Sequence, residues 1–95
     1  MRIRFTARAR ANLDAIFRHV AADNPRAAAN LVKTIIELID NLTLFPSLGH
    51  PTQPPGRHVL GVPKAPYRVF YRVVGDEIRI LTVRHTSRRP LRMLP

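Results

Sequence analysis

Arginine dominates the chemistry open to this sequence. Of its 16 basic residues, 14 are arginine, with lysine only at Lys33 and Lys64. The guanidinium fork pairs bidentately with carboxylates and phosphates and keeps its charge when partly covered, so the chemistry on offer is anion recognition. Arg57, Arg68, Arg72 and Arg79 stand among apolar residues in the C-terminal half, with Phe70 and Leu81 two positions from their neighbours. His85 is the side chain best suited to move a proton near neutrality, since an unperturbed imidazole titrates at about 6.5. The other histidines, His19, His50 and His58, fall in separate predicted elements, and the sequence has no cysteine. No metal-ligand spacing results, and no metal is expected. Ser47, Thr86 and Ser87 have no histidine–acid arrangement beside them, and Gly49, Gly56, Gly61 and Gly75 form no phosphate-cradling loop. No organic cofactor is expected either.

The net charge is +10, with 6 acidic residues in 95. It is unevenly spread. Residues 1–10 carry +4, residues 11–56 carry −1, and residues 57–95 carry +7. A basic chain of this kind expects a polyanion, either nucleic acid or an acidic protein. The length predicts one domain over 1–95, and a hydrophobic content of 45% argues against disorder. No apolar run approaches the roughly 20 residues of a membrane span. Met1–Phe5 alternates charged and apolar side chains, unlike the continuous apolar block of a signal peptide. A cytoplasmic protein with no membrane partner is expected.

These residues must be positioned by a small set of elements. Arg2–Phe5 reads as a strand, with Ile3 and Phe5 on one face. Thr6 is a candidate N-cap for a helix whose apolar stripe is Ala9, Leu13, Ile16, Phe17 and Val20. Asp23-Asn24-Pro25 ends that helix and caps a second, with Leu31, Ile35, Leu38, Ile39 and Leu42 in its stripe. Val32 and Ile36 widen this stripe and need a partner if the sheet does not cover them. So short a turn makes the helices antiparallel. Phe45–Gly56, with four prolines, reads as a loop. Strands are then predicted at Arg57–Val62, Tyr67–Val74 and Glu77–His85, the last two joined by a tight turn at Gly75-Asp76. The order is β-α-α-β-β-β. The fold class is α+β, a helical hairpin on one face of an antiparallel sheet.

If Val74 faces Glu77, paired residue numbers in the last hairpin sum to 151. Val73–Ile78, Tyr71–Ile80 and Val69–Thr82 then share the face under the helices. Arg72–Arg79, Phe70–Leu81 and Arg68–Val83 share the open face, with His85 near its end. Like charges directly opposite destabilise a sheet, so Arg72 against Arg79 points either to a solvated face or to a face that binds an anion.

The segments Pro66-Tyr67-Arg68-Val69-Phe70-Tyr71-Arg72-Val73 and Gly75–His85 resemble the central strand pair of the RelE/ParE toxin superfamily. Ala22–Ala28, Phe45-Pro46-Ser47-Leu48-Gly49 and Arg88-Arg89-Pro90 are similar to the same family, more closely to its ParE-like branch. The resemblance implies the toxin of a type II toxin–antitoxin pair. Its partner would be a cognate antitoxin whose acidic or amphipathic C-terminal segment folds along the toxin, giving a hetero-oligomer. The implied antitoxin contacts are the arginine face (Arg57, Arg68, Phe70, Arg72, Arg79, Leu81) and the helical flank at Val32 and Ile36.

ParE-like members poison DNA gyrase without catalysis of their own. RelE-like members cleave mRNA on the ribosome and would use Arg68, His85 or Arg88 here. That branch often carries a tyrosine near its C-terminus and a lysine pair before the central strands. This chain has tyrosine only at 67 and 71, and Lys64 stands alone. The departures favour gyrase as target, with ribosome-bound mRNA as the alternative. A non-toxic nucleic-acid-binding module is a second alternative, with Phe70 as its single stacking side chain.

Overall fold

Thr6 is the hinge on which the N-terminal half turns. β1 (Arg2–Phe5) ends at it, and α1 (Ala7–Ala21) begins with the Thr6 hydroxyl accepting a hydrogen bond from the Ala9 amide at 3.1 Å. The next cap follows the same logic: the Asn24 side chain accepts from the Ala27 amide at 3.1 Å, and Pro25 opens α2 (Pro25–Asp40). The computed structural model describes residues 1–87. After α2 come one turn of 3-10 helix (Asn41–Thr43), β2 (His50–Thr52), β3 (Arg57–Gly61), β4 (Tyr67–Val74) and β5 (Glu77–His85). Gly75 turns the β4–β5 hairpin at φ +61°, a left-handed conformation that costs glycine little.

The two helices lie on one face of a five-stranded sheet of order β1-β5-β4-β3-β2, so the architecture is the α+β one expected from sequence. Ile16, Ile35, Ile39 and Leu42 from the helical layer pack against Val69, Tyr71, Ile78, Ile80 and Val83 of the sheet. Fully burying each such side chain contributes roughly 1.5–3 kcal/mol. Tyr71 also stacks on His58, with ring centroids 5.2 Å apart.

The sheet departs from the sequence reading in three ways. First, β2 lies inside the stretch read as loop; its pairing with β3 survives Pro51 because it is a three-residue edge strand. Second, β1 runs parallel to β5, so the sheet is mixed rather than antiparallel. The Thr6 hydroxyl sits within hydrogen-bond distance of the Ile80 and Leu81 carbonyls, at 2.8 and 3.0 Å, which ties the end of β1 to the middle of β5. Third, the β4–β5 register follows the expected pairing only from Val74–Glu77 to Tyr71–Ile80. A bulge then leaves Leu81 unpaired and shifts the remaining pairs to Phe70–Thr82, Val69–Val83, Arg68–Arg84 and Tyr67–His85.

Candidate functional site

The face of the sheet turned away from the helices is an arginine surface. Parallel pairing of β1 and antiparallel pairing of β3, β4 and β5 put Arg4, Arg79, Arg72 and Arg57 in one register row across four strands. Strands lie roughly 4.8 Å apart, so this row is about 14 Å long. Four residues along β4, again about 14 Å away, Arg68 faces Arg84. Between the two rows lies Phe70, with the Arg57 guanidinium over its ring at 5.3 Å. At the β1 end the surface opens into a cleft lined by Arg4, Arg79, Arg10 and Thr6.

Among the described residues, one carboxylate pairs with this surface. Glu77 lies 2.6 Å from Arg79 Nε and within 4 Å of Arg2 and Arg4. The hydrogen bond from Arg79 holds its carboxyl below the ordinary value of 4.5; partial burial opposes the shift, and the charges of Arg79, Arg4 and Arg2 add to it. No carboxylate pairs with Arg57, Arg68, Arg72 or Arg84 among the described residues. Arg57 Nε is buried and has no acceptor among those residues.

A folded-state pKa below the unfolded value gives stability that is present above the unfolded value. It is lost as pH falls through the folded one. Glu77→Gln is therefore expected to lower the melting temperature at pH 7, where the variant leaves Arg2, Arg4 and Arg79 without their shared anion. The gap between variant and parent should close as the pH drops well below 4.5. A gap that persists at pH 2 would show that Glu77 acts through packing instead of charge.

The bulge corrects the expected face assignments. Arg68 pairs with Arg84, not Val83, and Val83 is buried beside Val69 under the helices. Leu81 is not opposite Phe70 but is the extra residue of the bulge. His85 leaves the arginine face and lies opposite the buried Tyr67, with their rings edge to face at 5.2 Å. Its Nδ1 accepts a hydrogen bond from the Ser87 amide at 3.1 Å, which places the proton of the neutral ring on Nε2. Arg68 and His85 thus sit on opposite faces of the sheet. Arg88 lies outside the described residues.

The bulge is held from the helical layer. It frees the Val83 amide, which donates to Asn12 Oδ1 of α1 at 3.0 Å, and the Thr82 hydroxyl donates to the same oxygen at 2.7 Å. Asn12 and Thr6 thereby position Arg84, a member of the site that sequence reasoning missed along with Arg4.

Two apolar surfaces lie away from the arginine face. Val32 and Ile36 are half-buried on α2 and lie outside the core cluster, with Phe17 of α1 exposed. The segment after α2 exposes Leu44, Phe45 and Leu48 by 75%, 61% and 45%. The Leu44-Phe45-Pro46 run was a signal for this second patch, hidden by its reading as a plain loop.

Residues 3–90 match the family model described as the ParE toxin of the type II toxin–antitoxin system parDE. The Sinorhizobium fredii protein Y4kP is 36% identical over 88 residues, spanning 93% of this chain and 91% of that one. A chain of the chromosomal ParDE toxin–antitoxin system from P. aeruginosa superposes with a TM-score of 0.81 at 32% identity, over 92% of this chain and 97% of its own length. A chain of the RelBE2 toxin–antitoxin complex from Mycobacterium tuberculosis gives 0.62 at 26% identity, over 88% and 95%. With the helical hairpin, the mixed sheet and nearly the full described length in common, the chain belongs to the ParE toxin family of type II toxin–antitoxin systems.

Proposed function

We propose that this ParE-family toxin arrests bacterial growth by poisoning DNA gyrase, and that a cognate antitoxin neutralises it by laying an acidic C-terminal segment on the arginine face. The observation that carries the antitoxin part is the imbalance of that face: among the described residues, six arginines in two rows face a single pairing carboxylate, Glu77. A flexible acidic segment supplies the missing anions, and Arg–carboxylate forks would fix its register and speed its association. The half-buried Val32 and Ile36 on α2 and the exposed Phe17 on α1 offer an amphipathic antitoxin helix apolar contacts on the helical layer, across the sheet from that face.

The gyrase part rests on family membership and on the separation of Arg68 from His85. Acid–base cleavage of RNA needs a proton carrier and a phosphate-binding cation around one phosphodiester. Of the three candidates, the two among the described residues, Arg68 and His85, lie on opposite faces of β4 and β5. The test is a paired assay with purified toxin. Gyrase-dependent accumulation of cleaved DNA, or loss of supercoiling, is expected, together with growth arrest that antitoxin relieves. Ribosome-dependent cuts in mRNA with gyrase unaffected would overturn the target assignment.

A further inference from the structure

Two rows of arginine, about 14 Å apart, make a broad cationic patch, four of whose guanidinium groups pair with no carboxylate among the described residues. An acidic helix presents carboxylates to one side only every three or four residues. Duplex DNA carries one phosphate charge per roughly 1.7 Å of axis, so about eight phosphates fall within 14 Å of its length. The separation of the rows is also close to the ~12 Å width of the major groove, which lets one row meet each bordering strand. Arginine, used here at all six positions, forks onto phosphate oxygens where lysine offers a point charge. Arg57, Arg68, Arg72 and Arg84 have no carboxylate to give up among the described residues.

We propose that the arginine face of the free toxin binds the phosphate backbone of duplex DNA directly, without reading its sequence. Arg57 and Arg72 lie on one bordering strand, and Arg68 and Arg84 on the other. This goes beyond the antitoxin reading, and it gives that reading a consequence: antitoxin and DNA compete for one face. Direct binding stands or falls without any antitoxin, because the experiment uses the toxin alone.

Fluorescence anisotropy with a labelled 20-base-pair duplex, in 50 to 200 mM salt, would compare three proteins: the parent, Arg57→Gln/Arg72→Gln, and Arg8→Gln/Arg26→Gln. The last pair removes the same two charges from exposed positions on α1 and α2. Glutamine keeps much of the arginine stem, and circular dichroism confirms that each variant is folded. Each phosphate contact contributes about 0.9 to the slope of log affinity against log salt, so losing two lowers it by about 1.8. Between 50 and 200 mM salt the parent should then weaken about 12-fold more than the Arg57/Arg72 variant. The Arg8/Arg26 variant should keep the parental slope. Equal slope losses in both variants would assign binding to net charge alone and overturn the proposal. So would absence of duplex binding at 50 mM salt in a toxin that still binds a polyglutamate peptide.

Discussion

Gly49→Ala is expected to destabilise the fold by about 3 kcal/mol, at the upper end of what overpacking costs. A Cβ at Gly49 would lie 2.8 Å from the Val59 carbonyl oxygen and 2.9 Å from both Cε1 and Oη of Tyr71. None of these can retreat: Val59 is held in β3, and Tyr71 is fully buried in the core. Its hydroxyl accepts from the Gly49 amide at 2.9 Å and donates to the Pro46 carbonyl at 2.8 Å. This hydroxyl pins the segment after α2 to the sheet, and with it the exposed Leu44, Phe45 and Leu48. Tyr71→Phe leaves the amide and the carbonyl without their partner, at a cost of about 2 kcal/mol. Urea unfolding of both variants measures this, and a parental midpoint for Gly49→Ala would refute the close approach. Burial pushes the Tyr71 hydroxyl above its ordinary pKa of 10.0, against a smaller opposing effect of the Gly49 amide. Its contribution is therefore constant below pH 10 and is lost as pH rises through the folded value. The parent should unfold more readily in strong alkali, and Tyr71→Phe should flatten that dependence.

The parts of the site written in local chemistry were legible. Thr6, Asn24 and Pro25 announced both helix starts, because a cap acts on amides two or three residues away. Gly75 announced the hairpin, and the pairing from Val74 to Tyr71 followed from it. The slip at Leu81 was not legible. Leu81-Thr82-Val83 is an uninterrupted strand-forming run, and the groups that satisfy the bulge, Thr6 and Asn12, lie about 70 or more positions earlier in the chain. That one residue exchanged Val83 for Arg84 on the open face and carried His85 to the other, since a slip of one residue reverses every side chain beyond it. Arg4 was missed for a related reason. Its place beside Arg79 depends on the direction of β1, which is fixed by tertiary bonds at Thr6 and not by the alternation within Arg2–Phe5. The antitoxin and gyrase assignments came from resemblance, because neither partner leaves a signature in the spacing of these residues.

Replacing Arg68 and Arg72 together with threonine should move stability and binding in opposite directions. Arg72 directly faces Arg79 on one side and Arg57 on the other, and Arg68 faces Arg84. Each like-charge pair costs a few tenths of a kcal/mol to about 1 kcal/mol, and threonine keeps the strand preference that alanine would lose. The double variant should therefore be more stable than the parent by about 1 kcal/mol in low salt. That gain should shrink as salt rises, since exposed charges are screened over about 10 Å at 0.1 M. Antitoxin affinity should fall about 100-fold over the same change: two charge-assisted hydrogen bonds, less than additive, amount to about 3 kcal/mol. Calorimetric melting and titration with the cognate antitoxin read the two effects independently. If the arginines served the fold, both stability and binding would fall together. A variant that melts later and binds less would instead mark these rows as a surface kept in tension for its anionic partner.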